Sequence, residues 1–397
     1  MRGVDYSVSG FRAGGVAAGL KESGRPDMAL IASDVPCGAA GVFTTNQVKA
    51  APVLLDQQVI AAGGAVRAVV ANSGNANACT GEQGLADAHA MAERAAAALG
   101  CAPDEVLVLS TGVIGVPMPM GVLLPGIDAA AGALSPAGWQ AAAGAIMTTD
   151  TRPKIATATT ASGCTVTGIA KGSGMIAPNM ATMLAVLATD AQIESDTLQA
   201  MLARAASVSF NRIVVDGDMS TNDTVLLLAN GASGVAVGAE DVEFAAALEA
   251  VCVELAQAIV RDGEGATRFV TLRVTGAATP DDARAAAHTI ATSPLCKTAF
   301  YGADPNWGRV VAAAGRAGVP FDATQVALWL LDGAGAAASH LVSGGRPTGF
   351  DEAAANAVMQ GNDWGFHLDL GAGDGEATVW TCDLSHDYVT INADYRT

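Results

Sequence analysis

The residue whose position most suggests covalent chemistry is a threonine at the start of an apolar segment. The stretch from Lys171 to Asp190 begins as a glycine-rich turn and continues into the apolar run Met183 to Ala188, which has the length of a buried strand. Thr182 therefore lies where a loop meets a strand. A core strand entered through a tight loop would explain these residues without any chemistry, so a catalytic role for Thr182 needs further support.

A threonine nucleophile requires a base, and cleavage of the chain would supply one. None of the five histidines lies close in sequence to Thr182, although a distant one can fold nearby. Cleavage after Ala181 would free the α-amine of Thr182, whose ordinary pKa of about 7.7 to 8.0 suits it to deprotonate the hydroxyl of the same residue. The small Ala181 would let that hydroxyl approach the preceding carbonyl in an intramolecular reaction. The pattern is consistent with self-cleavage but is not specific to it.

Three further clusters of threonine with glycine or other polar residues could take part in a site. The pair Thr111-Gly112 ends the apolar run Val106 to Ser110, where backbone N–H groups can turn toward a ligand. The pair Thr80-Gly81 lies in an asparagine-rich turn without a preceding strand, so among the two Thr-Gly pairs we rank it below Thr111-Gly112. The cluster Thr148 to Thr151 follows a helical pattern, and such clusters are more often caps and turns than sites.

The elements that must position these residues are short apolar runs that alternate with alanine-rich segments, a pattern typical of sheets covered by helices. The predicted strands are Met28–Ala32, Val66–Ala71, Val106–Ser110, Val166–Ala170, Met183–Ala188, Ile213–Val215, Thr224–Leu228, Phe269–Thr275, Gln325–Leu331, Phe366–Leu370, Val379–Cys382 and Tyr388–Ile391. The predicted helices are Leu85–Leu99, Trp139–Met147, 192–208, Asp241–Val260 and one that begins at Thr279. Alternation in the last third favours an antiparallel sheet with one packed face.

Composition limits the classes of function. The chain has 397 residues, of which 51% are hydrophobic and 15% charged, enough for two domains or one large layered α/β unit. A net charge of −18 argues against nucleic acid and anionic membrane surfaces as partners. No apolar run is long enough for a membrane span and the N-terminus lacks the apolar core of a signal peptide, so we expect a cytoplasmic protein. The seven cysteines show no Cys-x-x-Cys spacing and are expected to be reduced and mostly buried.

The run Lys171-Gly-Ser-Gly-Met-Ile-Ala-Pro-Asn-Met-Ala-Thr-Met-Leu resembles the self-cleavage signature of the ornithine acetyltransferase (glutamate N-acetyltransferase) family of arginine biosynthesis. The resemblance spans about Val4 to Thr397, with the family's blocks in order. It implies an α/β fold of layered sheets covered by helices, like the N-terminal nucleophile hydrolases in layering but different in connection. It also implies cleavage between Ala181 and Thr182 into an α chain, residues 1–181, and a β chain, residues 182–397.

The resemblance further implies roles for single residues, matched one by one to the family's motifs. Lys171 would pair with a substrate carboxylate and Glu264 would hold a substrate ammonium; Arg268 departs from the lysine that the family usually has. No metal and no organic cofactor is implied. The implied site consists of the nucleophile Thr182, the oxyanion residues Thr111 and Gly112, and the substrate contacts Thr148 (with Thr149 as a rival), Lys171, Glu264, Asn392 and Thr397.

The implied activity is transfer of an acetyl group from N2-acetylornithine to glutamate in a ping-pong mechanism, within an assembly of two α and two β chains. Some family members also accept acetyl-CoA, and no residue of this chain decides whether it does. One alternative is an amidase or aminopeptidase with an N-terminal nucleophile, in which water replaces glutamate. A second alternative is a binding protein for amino acids, which would need no cleavage.

Overall fold

The computed structural model describes residues 4–177 and 183–394, and the chain divides into two compact units. The first unit comprises the chain up to residue 211 together with residues 218–259. The second unit comprises residues 212–217 and, among the described residues, 260–394. The cleavage junction Ala181-Thr182 and the terminal Thr397 lie outside the described residues.

Strands and helices alternate along most of the described chain. The strands are β1 (Phe11–Val16), β2 (Met28–Phe43), β3 (Val66–Asn75), β4 (Val106–Val113), β5 (Lys154–Thr159), β6 (Thr165–Lys171), β7 (Leu184–Thr189), β8 (Gln192–Ile193), β9 (Ile213–Val214), β10 (Thr224–Ala229), β11 (Ala236–Val237), β12 (Phe269–Ala277), β13 (Ala327–Leu331), β14 (Ala337–Ser343), β15 (Arg346–Pro347), β16 (Asp363–Asp369) and β17 (Gly375–Cys382). The helices are α1 (Ala51–Ala62), α2 (Gly81–Leu99), α3 (Met120–Gly132), α4 (Trp139–Ala145), α5 (Ser195–Val208), α6 (Val242–Arg261), α7 (Pro280–Ala291), α8 (Pro294–Tyr301), α9 (Trp307–Gly315), α10 (Glu352–Met359) and α11 (His386–Asp394).

The first unit is built on a mixed sheet with the strand order β4-β3-β2-β10-β7-β6-β5, and β1 pairs with β2. The long strand β2 pairs with β1 and β3 through its first half and with β10 through its second half. Strands β3 and β4 are parallel, as are β7 and β10, whereas β6 is antiparallel to both β5 and β7. This order places the strand that follows Thr182 inside the sheet.

Both faces of the first sheet are buried. Alternate residues of each strand point to opposite sides of the sheet, and each side packs in its own apolar cluster. On β2, Leu30 packs in an apolar cluster with residues of α2 and α3, while the neighbouring Ile31 packs in another cluster with Trp139 of α4. Trp139 is completely buried. Helices thus cover the sheet on both sides and hold the strand ends in place.

The second unit contains another mixed sheet, with the order β15-β14-β13-β16-β12-β17-β9. One face packs on α7 to α10; on β12 the residues Val270, Leu272 and Val274 are buried on this side, while Arg273 between them is exposed. Helix α7 begins as predicted, because the side chain of Thr279 accepts a hydrogen bond from the Asp282 amide.

The predicted α/β architecture of layered sheets covered by helices is confirmed. The antiparallel pairing expected in the last third is observed between β13 and β16, although β16 also pairs in parallel with β12. The predicted strand Tyr388–Ile391 is wrong: these residues lie in α11, which follows directly after Ser385, and the Ser385 hydroxyl accepts from the Tyr388 amide. Four alternating residues are too few to separate a strand from one helical turn, and Val389 is exposed.

No helix within residues 4–177 and 183–394 is long and apolar enough to cross a membrane. The seven cysteines are all described and unpaired; Cys79 is exposed, Cys101 is half-buried and the other five are buried, as the sequence predicted.

Candidate active site

The start of β7, two residues after Thr182, is fixed by the strands on either side of it. Leu184 lies opposite Lys171, the last residue of the antiparallel β6, and beside Thr224, the first residue of the parallel β10. The backbone of Met183 is held as well, because its carbonyl accepts from the Thr224 amide at 3.1 Å. The sheet register therefore brings Lys171 next to the strand that Thr182 precedes in sequence.

Lys171 and Thr111 are in direct contact although 60 residues separate them in sequence. The Lys171 Nζ donates to Thr111 Oγ1 at 3.2 Å, and both side chains are buried. Two residues to which the resemblance gave different roles, Lys171 as substrate contact and Thr111 as oxyanion residue, thus belong to one cluster in the first unit.

Gly112 has a structural reason to be glycine. Its φ is +136°, and a Cβ at this position would lie 2.3 Å from the carbonyl carbon of Gly74 and 2.5 Å from the nitrogen of Asn75. The end of β4 therefore packs directly against the backbone at the end of β3. Because glycine has no Cβ, the end of β3 can pack against Gly112, and this close contact restricts the conformation of the backbone there.

The competing pair Thr80-Gly81 has a different role. The hydroxyl of Thr80 donates to Asn77 Oδ1 at 2.7 Å, and Gly81 is the first residue of α2. This pair shapes the turn into a helix, which agrees with its lower rank.

Asp150 organises the polar cluster around Lys171. One carboxylate oxygen accepts from Lys154 Nζ at 2.5 Å and from the Gly172 amide at 2.8 Å, and the other accepts from the Thr148 amide at 3.0 Å. Burial alone would raise the pKa of Asp150, but the ammonium groups of Lys154 and Lys171 and the Gly172 hydrogen bond lower it to about 2. Asp150 is therefore ionised at neutral pH and fixes the turn that follows β6.

The rival threonines Thr148 and Thr149 both lie at this cluster. Thr148 donates its amide to Asp150, whereas the hydroxyl of Thr149 is 2.6 Å from the hydroxyl of Ser173. The contact with Ser173 occupies the Thr149 hydroxyl within the protein. We therefore keep Thr148 as the expected substrate contact.

A second pair of predicted residues meets in the second unit. Asn392 Nδ2 donates to Glu264 Oε2 at 2.8 Å across 128 residues of sequence. The loop that carries Glu264 packs closely on α11, because a Cβ on the next residue, Gly265, would lie 2.5 Å from the Tyr388 nitrogen. Glu264 and Asn392 thus form one polar surface, with Thr397 outside the described residues.

Sequence reasoning missed Asp150, Lys154 and Lys21. The cluster that contains Asp150 was treated as a cap, and nothing in the polar run from Thr148 to Lys154 indicates that Asp150 and Lys154 form a buried ion pair. Lys21 donates from its Nζ to the carbonyl of Met147 at 2.7 Å, and burial is the main reason why its pKa is lowered to about 8. Nothing local to Lys21 in the sequence predicts this contact, since 126 residues separate the two partners.

The two groups of residues differ in the charge that they can bind. Lys171 in the first unit is a buried cation that can bind a carboxylate, and it contacts the side chain of Thr111 in β4. Glu264 in the second unit can bind an ammonium group. Within the described residues no group of three or more His, Cys, Asp or Glu side chains is placed to hold a metal ion.

Comparison with known proteins identifies relatives along almost the whole chain. The arginine biosynthesis bifunctional protein ArgJ of Symbiobacterium thermophilum is 54% identical over 398 residues, covering 98% of this chain and 97% of that protein. The protein of the same name from Geobacter sulfurreducens is 50% identical over 399 residues, covering 98% of this chain and all of the other. A crystal structure of ornithine acetyltransferase complexed with ornithine from Mycobacterium tuberculosis is 50% identical over 44% of this chain and 94% of that chain, with a TM-score of 0.43.

The family match has the same extent. The ArgJ family matches residues 12–397, which include every candidate site residue of both units. The resemblance predicted from the run after Lys171 is therefore confirmed. The chain belongs to the ArgJ family.

Proposed function

We propose that this protein transfers the acetyl group of N2-acetylornithine to glutamate through an acetyl-Thr182 intermediate. Membership of a family of arginine biosynthesis bifunctional proteins confirms the predicted enzyme class, an acetyltransferase of arginine biosynthesis. The observation that best supports the proposed mechanism is the contact between Lys171 and Thr111 beside the start of β7. It joins a carboxylate-binding cation to the candidate oxyanion residues next to the strand that follows Thr182.

The nucleophile is made by self-cleavage. The Thr182 hydroxyl attacks the Ala181 carbonyl, the peptide C–N bond breaks as the amine takes up a proton, and water then hydrolyses the resulting ester. The products are the α chain, residues 1–181, with a new carboxylate, and the β chain, residues 182–397, with a free threonine α-amine. The α-amine now serves as the base of the mature enzyme.

Acetyl transfer uses the same base twice. The α-amine takes the proton of the Thr182 hydroxyl as that oxygen attacks the acetyl carbonyl, and the N–H groups at Thr111 and Gly112 stabilise the oxyanion. The proton then goes to the departing ornithine amine. In the second half the α-amine of glutamate attacks the acetyl ester, loses a proton to the enzyme and leaves as N-acetylglutamate.

Substrate binding uses the α-carboxylate that both amino acids carry and the side-chain ammonium of N2-acetylornithine. Lys171 binds the α-carboxylate, and Thr148 contacts the substrate at the same cluster. Glu264, which accepts from Asn392, holds a substrate ammonium, and Thr397 is a further substrate contact. We further propose that the enzyme is cytoplasmic and assembles from two α and two β chains; acetyl-CoA as a second acetyl donor is an additional activity to assay.

Electrophoresis under denaturing conditions tests the cleavage step. Wild-type protein should give two fragments and Thr182→Ala one full-length band. Thr189→Ala is a matched control, since Thr189 lies at the other end of β7. Among the described residues its hydroxyl oxygen accepts a hydrogen bond from the Ala191 amide alone. This control should be cleaved normally. An intact wild-type chain that is fully active would overturn the mechanism.

Incubation with N2-acetylornithine tests the transfer step. Release of ornithine should depend on glutamate and should yield N-acetylglutamate. Release of acetate at the same rate without glutamate would instead identify the hydrolase alternative.

A further inference from the structure

A short buried segment of the first unit, outside the predicted site, contacts both the strand that carries Thr111 and Gly112 and the strand that follows Thr182. The segment Thr221-Asn222-Asp223 directly precedes β10, and all three side chains are buried. We call it the 221–223 bridge. Its side chains bind the backbone at two places, the end of β4 and the start of β7.

Asn222 holds the end of β4. Its side-chain amide donates to the Ser110 carbonyl at 2.8 Å and to the Ala76 carbonyl at 2.7 Å, and its oxygen accepts from the Thr221 hydroxyl at 2.6 Å. The Ser110 carbonyl belongs to the peptide whose nitrogen is that of Thr111. Asn222 therefore fixes the orientation of the peptide that leads into the oxyanion residues.

Asp223 holds the start of β7. Its Oδ1 accepts from the Met183 amide at 2.9 Å, and this amide is half of the peptide bond to Thr182. Since the neighbouring Thr224 donates to the Met183 carbonyl, both backbone groups of Met183 are bound by consecutive residues. The carboxyl of Asp223 thus lies within one peptide unit of the nucleophile.

The second oxygen of Asp223 is unusual. Asp223 is only 1% exposed, yet among the described residues its Oδ2 has no hydrogen-bond partner. Burial is the main reason why the pKa of Asp223 is raised well above its usual value, although the Met183 amide, the Lys171 ammonium, the Thr44 side chain and the Ser220 backbone each act to lower it.

We propose that the 221–223 bridge is a positioning device that sets the separation between the nucleophile and the oxyanion residues. The inference rests on the proposed function. Two adjacent residues of one rigid segment hold the two strand ends that must face each other across the reacting carbonyl. Asn222 and Asp223 are positioning residues and make no contact with the substrate in this account.

The test compares Asp223→Asn, Asp223→Ala and Asn222→Ala with Asp56→Asn. Asp56 is a close match for Asp223: it is completely buried, one oxygen accepts from the Val108 amide at 2.8 Å, the other has no partner among the described residues, and burial raises its pKa. Any loss caused merely by altering a buried carboxyl should therefore appear in Asp56→Asn as well.

We expect Asp223→Ala and Asn222→Ala to lower kcat on the order of 10- to 100-fold while KM changes less than about twofold, because a small misplacement of reacting groups slows the chemical step. Asp223→Asn should lose less than Asp223→Ala, since its amide oxygen can still accept from Met183. Asp56→Asn should retain the kcat of the wild type.

The extent of self-cleavage is measured on the same variants by electrophoresis, and far-ultraviolet circular dichroism establishes that each is folded. Slower cleavage in the bridge variants supports the proposal even if the wild-type protein transfers no acetyl group. Such a lack of acetyl transfer would refute only the proposed function. Cleavage and kcat equal to those of Asp56→Asn in all three bridge variants would overturn the bridge while leaving the proposed function intact.

Discussion

The buried ion pair between Asp150 and Lys154 gives a sharp prediction about stability. The two side chains are 0% and 1% exposed, and Nζ and Oδ1 are 2.5 Å apart. Replacing Asp150 with asparagine keeps its size but removes its charge, which leaves the ammonium groups of Lys154 and Lys171 buried without it. We expect Asp150→Asn to lower the free energy of unfolding by about 3–5 kcal/mol, as measured when one partner of a buried pair is removed.

The pKa of Asp150 gives a separate figure for the same interaction. A fall from the ordinary value of 3.8 to about 2 in the folded protein corresponds to about 2–3 kcal/mol of stabilisation at neutral pH. Because the folded-state pKa is depressed, this stabilisation is present above pH 4 and is lost as the pH falls through about 2. The loss expected for Asp150→Asn is the larger of the two figures, because it also includes the cost of leaving the Lys154 and Lys171 ammonium groups buried without a counter-charge.

Urea unfolding at pH 7 and in acid measures both effects. All variants are made in the Thr182→Ala background, so that each preparation is a single unbroken chain. Asp128→Asn is the control, because Asp128 pairs with Arg94 at the surface and its loss should leave the unfolding midpoint unchanged. If Asp150→Asn unfolds at the same urea concentration as its parent at pH 7, the argument from the buried pair is refuted.

Three further predictions concern the site and the cysteines. Gly112→Ala should lower kcat/KM on the order of 100-fold, the usual cost of losing one oxyanion donor, because its Cβ would overlap the Gly74 backbone; unchanged kinetics would show that the end of β4 is not the oxyanion site. Glu264→Gln keeps an acceptor for Asn392 but loses the charge, so KM for N2-acetylornithine should rise about 10-fold or more with a smaller change in kcat, and an unaltered KM would exclude the ammonium contact. Cys79 is the exposed thiol, so Cys79→Ser should remove the fast phase of reaction with a thiol reagent in the native protein, and a fast phase that persists would contradict its assignment.

Much of the fold was predictable because its strands are apolar and its helices have regular spacing. The strand after Thr182 was predicted as Met183–Ala188 and is observed as Leu184–Thr189, and the long helix predicted over Asp241–Val260 is observed over Val242–Arg261. The error at Tyr388–Ile391 arose where the segment was short and half-exposed. In so short a segment the alternation of polar and apolar residues does not distinguish a strand from a helix. The Ser385 hydroxyl, which accepts from the Tyr388 amide, favours the helix that is observed.

The site was predictable only in part, because sequence motifs show residue types but not the contacts that hold them. Lys171 and Thr111 were both predicted, yet their hydrogen bond depends on how β4 and β6 end. Asp150 was discounted because polar clusters after helices are usually caps. Asp223 and Asn222 gave no signal at all, since their role depends on backbone groups of segments that lie 40 and 112 residues away in sequence.

One mass spectrum tests the central claim most directly. Wild-type protein is incubated with N2-acetylornithine in the absence of glutamate, quenched in acid and analysed as intact chains and as peptides. The account predicts a β chain that begins at Thr182 and carries a single acetyl group on that residue, which disappears when glutamate is added before quenching. An acetyl group on any other residue, or a second chain that begins elsewhere, would contradict it.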